Sequence, residues 1–177
     1  MSPQDLALPA ALAEMAEIGF NNKSENENEA CSCDFELYEE FEALEETSDW
    51  FRMWTGNDEV DGRQFRFFGS TGGGDYVGFW LVRPNVAVTE QPVIYIGSEG
   101  ELGVVARDLG DLLVLFANGS GPAEAFDDPQ RETQQNEAFR VIAKRYAEGR
   151  TLSTVEIVRI AQEEFPTFSD SIRALCR

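Results

Sequence analysis

Histidine is missing from all 177 residues. That absence removes the commonest general base, the Ser-His-Asp and Cys-His arrangements, and every metal site built on imidazole. Cysteine is scarce. Cys31, Cys33 and Cys176 are an odd number and the first two are split by a single serine, so a disulfide framework is not expected. The C-S-C pair would need the third cysteine and a carboxylate to complete a zinc site, and reduced bystander thiols in a reducing compartment are the expected state. Long apolar runs are lacking as well: the longest uninterrupted one, Leu112 to Ala117, is far too short to cross a bilayer. The first cation is Lys23, and Asp5 breaks the early apolar stretch, so no signal peptide is expected. Together these absences lead to the expectation of a cytoplasmic protein that is not an enzyme, with no catalytic residues, metal or cofactor.

What is present is a core and a great deal of negative charge. Hydrophobic residues make up 42% of the chain and 13 residues are Phe, which places it among globular proteins. At this length one domain over 1–177 is expected, burying about 70% of its unfolded surface. Lys plus Arg number 14 against 33 Asp plus Glu, a net charge of −19. The imbalance is uneven: residues 1–61 hold 17 acids and 2 bases, residues 62–130 hold 9 and 4, and residues 131–177 hold 7 and 8. So acidic a front third repels nucleic acid and anionic lipid and speeds encounter with a basic protein. Taken singly, most of these acids are expected to be a solvated face that keeps the protein in solution.

Periodicity sets out the elements. Pro9 opens a helix running to about Ile18, with Leu8, Leu12 and Met15 near one face. Asn21 to Glu29 contains no apolar residue and reads as an exposed loop, and Cys33 to Tyr38 alternates like an edge strand. A short acidic helix follows, with Phe41, Leu44 and Trp50 on its buried face and Glu39, Glu40, Glu42, Glu45 and Glu46 mostly outward. Trp50, Phe51, Met53 and Trp54 precede a polar turn, TGNDEVDG, read as a hairpin turn; its acids do not meet the spacing of a calcium loop. Phe65–Phe68 and Tyr76–Val82 form a hairpin in which Gly72 to Gly74 supply the positive φ angles. Pro92–Gly97 is a third β-rich run and Leu102–Val105 a short fourth. From Asp108 the period becomes helical through Leu109, Leu112, Leu113 and Phe116, and Gly119 ends it.

Beyond Gly121 the chain reads as helices. Phe139, Ile142, Ala143 and Tyr146 repeat at helical spacing, Ser153 and Glu156 form a capping box, and a last short helix carries Ile172 and Leu175. This basic-leaning tail is expected to pack on the sheet, dock on the acidic front third, or mediate self-association. The glycine cluster GSTGGGD is not a phosphate cradle: it lacks the Lys-Ser/Thr of a P-loop and precedes a strand instead of a helix.

The hairpin FGSTGGGDYVGF, the later PVIYIGSEGELGVVA and the helix DLGDLLVLF together resemble the SUKH superfamily, the Smi/Knr-type domains of bacterial toxin-immunity proteins. Leu8-Pro9 opening a helix that ends near Gly19 looks like the family's N-terminal element. The likeness covers about residues 8–119 and leaves a helical extension over about 131–177. The chain departs from the pattern in its acidic loop after the first helix and in that extension. With the periodicity, the expected fold is α+β: a mixed or mostly antiparallel sheet of about five to six strands, with helices from both ends of the chain on one side.

The resemblance implies an immunity protein that binds and neutralises a cognate toxin domain by stoichiometric contact. Charge adds that the toxin is basic, and a nuclease fits because its substrate groove is basic. The alternative is a regulatory or scaffold module that binds an endogenous protein or peptide. The candidate contact carboxylates are Glu39, Glu40, Glu42, Asp75, Glu99 and Glu101, with Trp54 and Tyr76 as anchors. Asp75, Tyr76, Glu99 and Glu101 occupy family motif positions in the two turns. Asp75 and Glu99 have an equally weighted second reading, in which they only satisfy backbone N–H groups at those turns.

Overall fold

A computed structural model of the chain describes residues 6–20 and 33–177, so Asn21 to Glu29 and Cys31 lie outside the described residues. Among the described residues five strands form one sheet in chain order: β1 (Glu36–Leu37), β2 (Phe65–Ser70), β3 (Tyr76–Trp80), β4 (Val93–Ile96) and β5 (Leu102–Ala106). All four neighbouring pairs are antiparallel. Among the described residues seven α-helices flank the sheet: α1 (Ala10–Ile18), α2 (Leu44–Thr55), α3 (Leu109–Ala117), α4 (Pro122–Asp127), α5 (Glu137–Tyr146), α6 (Thr154–Glu164) and α7 (Phe168–Arg173). The class is the expected α+β.

The helices do not lie on one side, as the sequence suggested. Every residue of β4, Val-Ile-Tyr-Ile, is buried, and a strand apolar on both faces needs cover on both. Val93 and Tyr95 join Phe68, Val77 and Phe79 in a first core with α1, α3 and α5. Ile94 and Ile96 join Phe65, Phe67, Leu102 and Val104 in a second, closed by Phe51 of α2 and by Phe168 and Ile172 of α7. Phe65, Phe67 and Phe68 are fully buried, and each such ring stabilises the fold by about 1.5–3 kcal/mol. Helix α6 straddles the free edge of β5, giving Ile157 and Val158 to the first core and Ala161 to the second.

Local chemistry explains several boundaries. In the β2–β3 turn only Gly74 takes a positive φ, 84°, so Gly72 and Gly73 do not supply the strained angles expected of them. Helix α2 begins at Leu44, after Phe41, and it takes in the whole Trp50–Trp54 run. The residues after it lead from helix to β2, not through a hairpin. Ser153 and Glu156 cap α6 reciprocally, as the spacing required. Helix α4 starts on Pro122, where the chain is expected to turn helical, although the pattern delimits no separate helix there.

The C-terminal helices are tied to the core by charge as well as packing. Arg107 Nε lies 2.6 Å from Asp111 Oδ2, and Arg150 Nη1 lies 2.5 Å from both Asp108 Oδ1 and Asp111 Oδ1. The Asp111 side chain is 1% exposed and lies against both guanidiniums, so loss of either would leave a buried carboxylate short of a partner. Burial opposes the ionisation of Asp108, but the Arg150 guanidinium, the Asp111 backbone N–H and the charge of Arg107 together outweigh it and hold the carboxyl below its usual range. Phe20, just past α1, meets Phe116 and Phe139 edge-on at 4.8 Å each, which joins α1, α3 and α5. The tail thus packs on the sheet and also meets the front third, where Arg145 of α5 pairs with Glu14 of α1 at 2.7 Å. Among the described residues, no helix is long and apolar enough to cross a membrane.

Candidate protein-contact surface

The β2–β3 and β4–β5 turns lie side by side at one end of the sheet, because Tyr76 of β3 pairs with both Ser70 of β2 and Ile96 of β4. Asp75 ties the two turns together. Its carboxylate accepts from Thr71 Oγ1 at 2.7 Å, Tyr95 Oη at 2.9 Å and the Ser98 backbone N–H at 2.8 Å. Burial raises the Asp75 pKa, but the bonds from Ser98, Thr71 and Tyr95 overcome that and hold it below the ordinary value. Tyr95 is pushed up in turn by burial and by the bond to Asp75.

Helix α2 supplies the neighbouring surface. Its inward face carries Thr47, Ser48, Phe51 and Thr55, all buried. Small hydroxyl residues can face the sheet because their donors are satisfied within the helix: Ser48 Oγ bonds Leu44 O at 2.6 Å and Thr55 Oγ1 bonds Phe51 O at 2.7 Å. With that face inward, Glu46, Trp50 and Trp54 fall at i, i+4 and i+8 on one flank, next to Met53. Trp50 and Trp54 are half-buried, their rings 6.2 Å apart, and Met53 is 75% exposed. Trp54 donates its indole N–H to Gly97 O at 3.0 Å, which fixes α2 to the β4–β5 turn. Tyr76 lies 4.4 Å from Trp50 and 4.8 Å from Phe67. The result is a continuous aromatic surface with its outer edge in water.

Carboxylates border that surface. Glu42 is half-buried and accepts from Thr47 Oγ1 at 2.8 Å and from the Tyr76 hydroxyl. Burial raises its pKa against the pull of those two bonds, and the charge of Glu46 adds to the rise. Tyr76 is raised by burial first and then by Glu42. Glu99 is exposed in the β4–β5 turn, and Glu101 is half-buried with its side chain folded over Gly97, where a Cβ would collide with it.

Six of the eight residues named from sequence therefore gather at one end of the sheet: Glu42, Trp54, Asp75, Tyr76, Glu99 and Glu101. Glu39 and Glu40 are exposed in the bend after β1. Trp50, Met53 and Glu46 were not named as contact residues, although the four-residue spacing of Glu46, Trp50 and Trp54 would have found the flank. Asp75 is occupied by the turns it bridges.

Among the described residues, no group of three or more His, Cys, Asp or Glu is placed to hold a metal ion. A groove of about 570 Å³ on the other flank of α2 is lined by Leu44, Ser48, Asp49, Arg52, Asp61 and Arg63 among others. Four of its charges pair within it, Arg52 with Asp49 at 3.0 Å and Arg63 with Asp61 at 3.2 Å, and Glu45 lines it as well. No family model matches the chain, nor does any curated protein or solved structure.

Proposed function

We propose that this chain is an immunity-type protein, one that neutralises a basic toxin domain by stoichiometric contact through the surface formed by α2 and the two turns. The observation that carries the reading is a half-exposed group of aromatic side chains, Trp50, Trp54 and Tyr76, bordered by carboxylates in a chain of net charge −19. Aromatic anchors with a charged rim are the usual chemistry of a protein hot spot. Its sign selects a cationic partner, and a nuclease domain offers one in the groove that holds its substrate. The likeness of the hairpin, the β4–β5 segment and α3 to SUKH domains points the same way. The encounter belongs in the cytoplasm, where thiols remain reduced.

Co-expression tests this directly. The toxin domain encoded beside the gene is produced in a sensitive cell with and without this chain, and a tag on the chain recovers whatever it holds. Rescue with a stoichiometric complex is expected, and Glu42→Lys with Glu46→Lys should weaken it. An active toxin that is neither bound nor neutralised would overturn the reading for that pair and leave the regulatory or scaffold module in its place.

A further inference from the structure

Three features decide what chemistry the α2 flank accepts. The first is an aromatic face with few polar groups left to offer: Trp54 has spent its N–H on Gly97 O, and the Tyr76 hydroxyl is engaged by Glu42. The rings of Trp50 and Trp54 lie 6.2 Å apart, tilted by 31°, and both are half-exposed, and the π-face of an indole attracts cations and repels carboxylates. Second, the bordering charge has no cationic partner among the described residues. Among the described residues, the Glu42 carboxylate receives hydrogen bonds from neutral donors, Thr47 and Tyr76. Glu46 is exposed one helical turn before Trp50 and forms no ion pair among the described residues. Third, the one cation on α2, Arg52, stands on the opposite flank and is paired with Asp49.

From these we infer that the flank receives an arginine of the partner, laid flat on the Trp50 and Trp54 rings with its guanidinium turned toward Glu46 and Glu42. The inference rests on the reading that the partner docks at this surface, and it names the group the partner must bring. Arginine is favoured over lysine on geometry. A guanidinium is planar and weakly hydrated, so it can stack on an indole while its edge N–H groups reach a carboxylate. A lysine ammonium is a compact, strongly hydrated point charge that cannot do both. Met53, 75% exposed at the border, gives a flexible apolar bed for the rest of the partner segment.

The test uses the full chain and two capped peptides, hexa-arginine and hexa-lysine, titrated by calorimetry at one low ionic strength with tryptophan fluorescence followed in parallel. Hexa-arginine is expected to bind about tenfold tighter than hexa-lysine and to change the tryptophan emission. Trp50→Leu and Glu46→Gln should each weaken it about five- to tenfold, while Glu132→Gln, an exposed acid remote in sequence from α2, should leave it unchanged. Circular dichroism of each variant reports that it is folded. Equal affinity for the two peptides would overturn the inference, as would a folded Trp50→Leu variant that binds hexa-arginine like the parent. Toxin rescue without arginine preference would overturn this inference alone. Arginine preference without rescue would leave it standing and remove the immunity reading.

Discussion

Replacing Asp75 by alanine separates its two roles, because the structure assigns it a clamp between turns while its sequence position marks it as a contact carboxylate. The change removes three hydrogen bonds, from Thr71, Tyr95 and Ser98. Bonds to a charged acceptor contribute about 1.5–3 kcal/mol each, and partial exposure of this site reduces that to about 1 kcal/mol each. The total is roughly 3 kcal/mol, and at about 2–4 °C per kcal/mol for a chain of this length Tm should fall by roughly 6–12 °C. Thermal unfolding by circular dichroism measures it. The pH dependence carries a definite sign. The folded-state pKa of Asp75 lies below its ordinary value, so its stabilisation is complete above the unfolded pKa, about 3.9, and is lost as pH falls through the folded one. The penalty of Asp75→Ala should therefore be full at neutral pH and shrink in stronger acid. A fall in Tm below about 2 °C, with partner binding abolished, would refute the clamp and return Asp75 to the contact surface.

Two further substitutions probe the frame. Arg150→Met should cost about 2–4 kcal/mol in urea unfolding, since Asp111, 1% exposed, keeps only Arg107 as a cationic partner. Gly119→Ala should destabilise by more than about 1 kcal/mol: φ there is 84° and a Cβ would fall on the Gln134 carbonyl, so a low soluble yield is the expected readout.

Much of the architecture was legible because it obeys simple periods. The β2–β3 hairpin, β4, β5, α3, α5 and the capped α6 all follow from alternation, helical spacing and turn residues. The flank of α2 did not, and the reason is its inward face. Thr47, Ser48 and Thr55 occupy positions where apolar residues are expected, so the pattern pointed to Leu44 and Trp50 as core and hid the flank. The tie from Trp54 to Gly97 and the bridging role of Asp75 depend on contacts 43 and 23 residues away, which local patterning does not contain. Cover on both faces was visible in principle in the unbroken apolar run of β4.

The position of α6 over the edge of β5 has a bearing on synthesis. Strand β5 is completed long before α6 and α7, which close over it, since Leu102 waits for a bond from Ser169 of α7, 67 residues later. At about 5–20 residues per second a ribosome needs roughly 3–13 s to cover that distance. For that interval the emerging sheet has an open, apolar outer strand able to pair with another nascent chain. A slow codon placed between β5 and α7 would prolong that window.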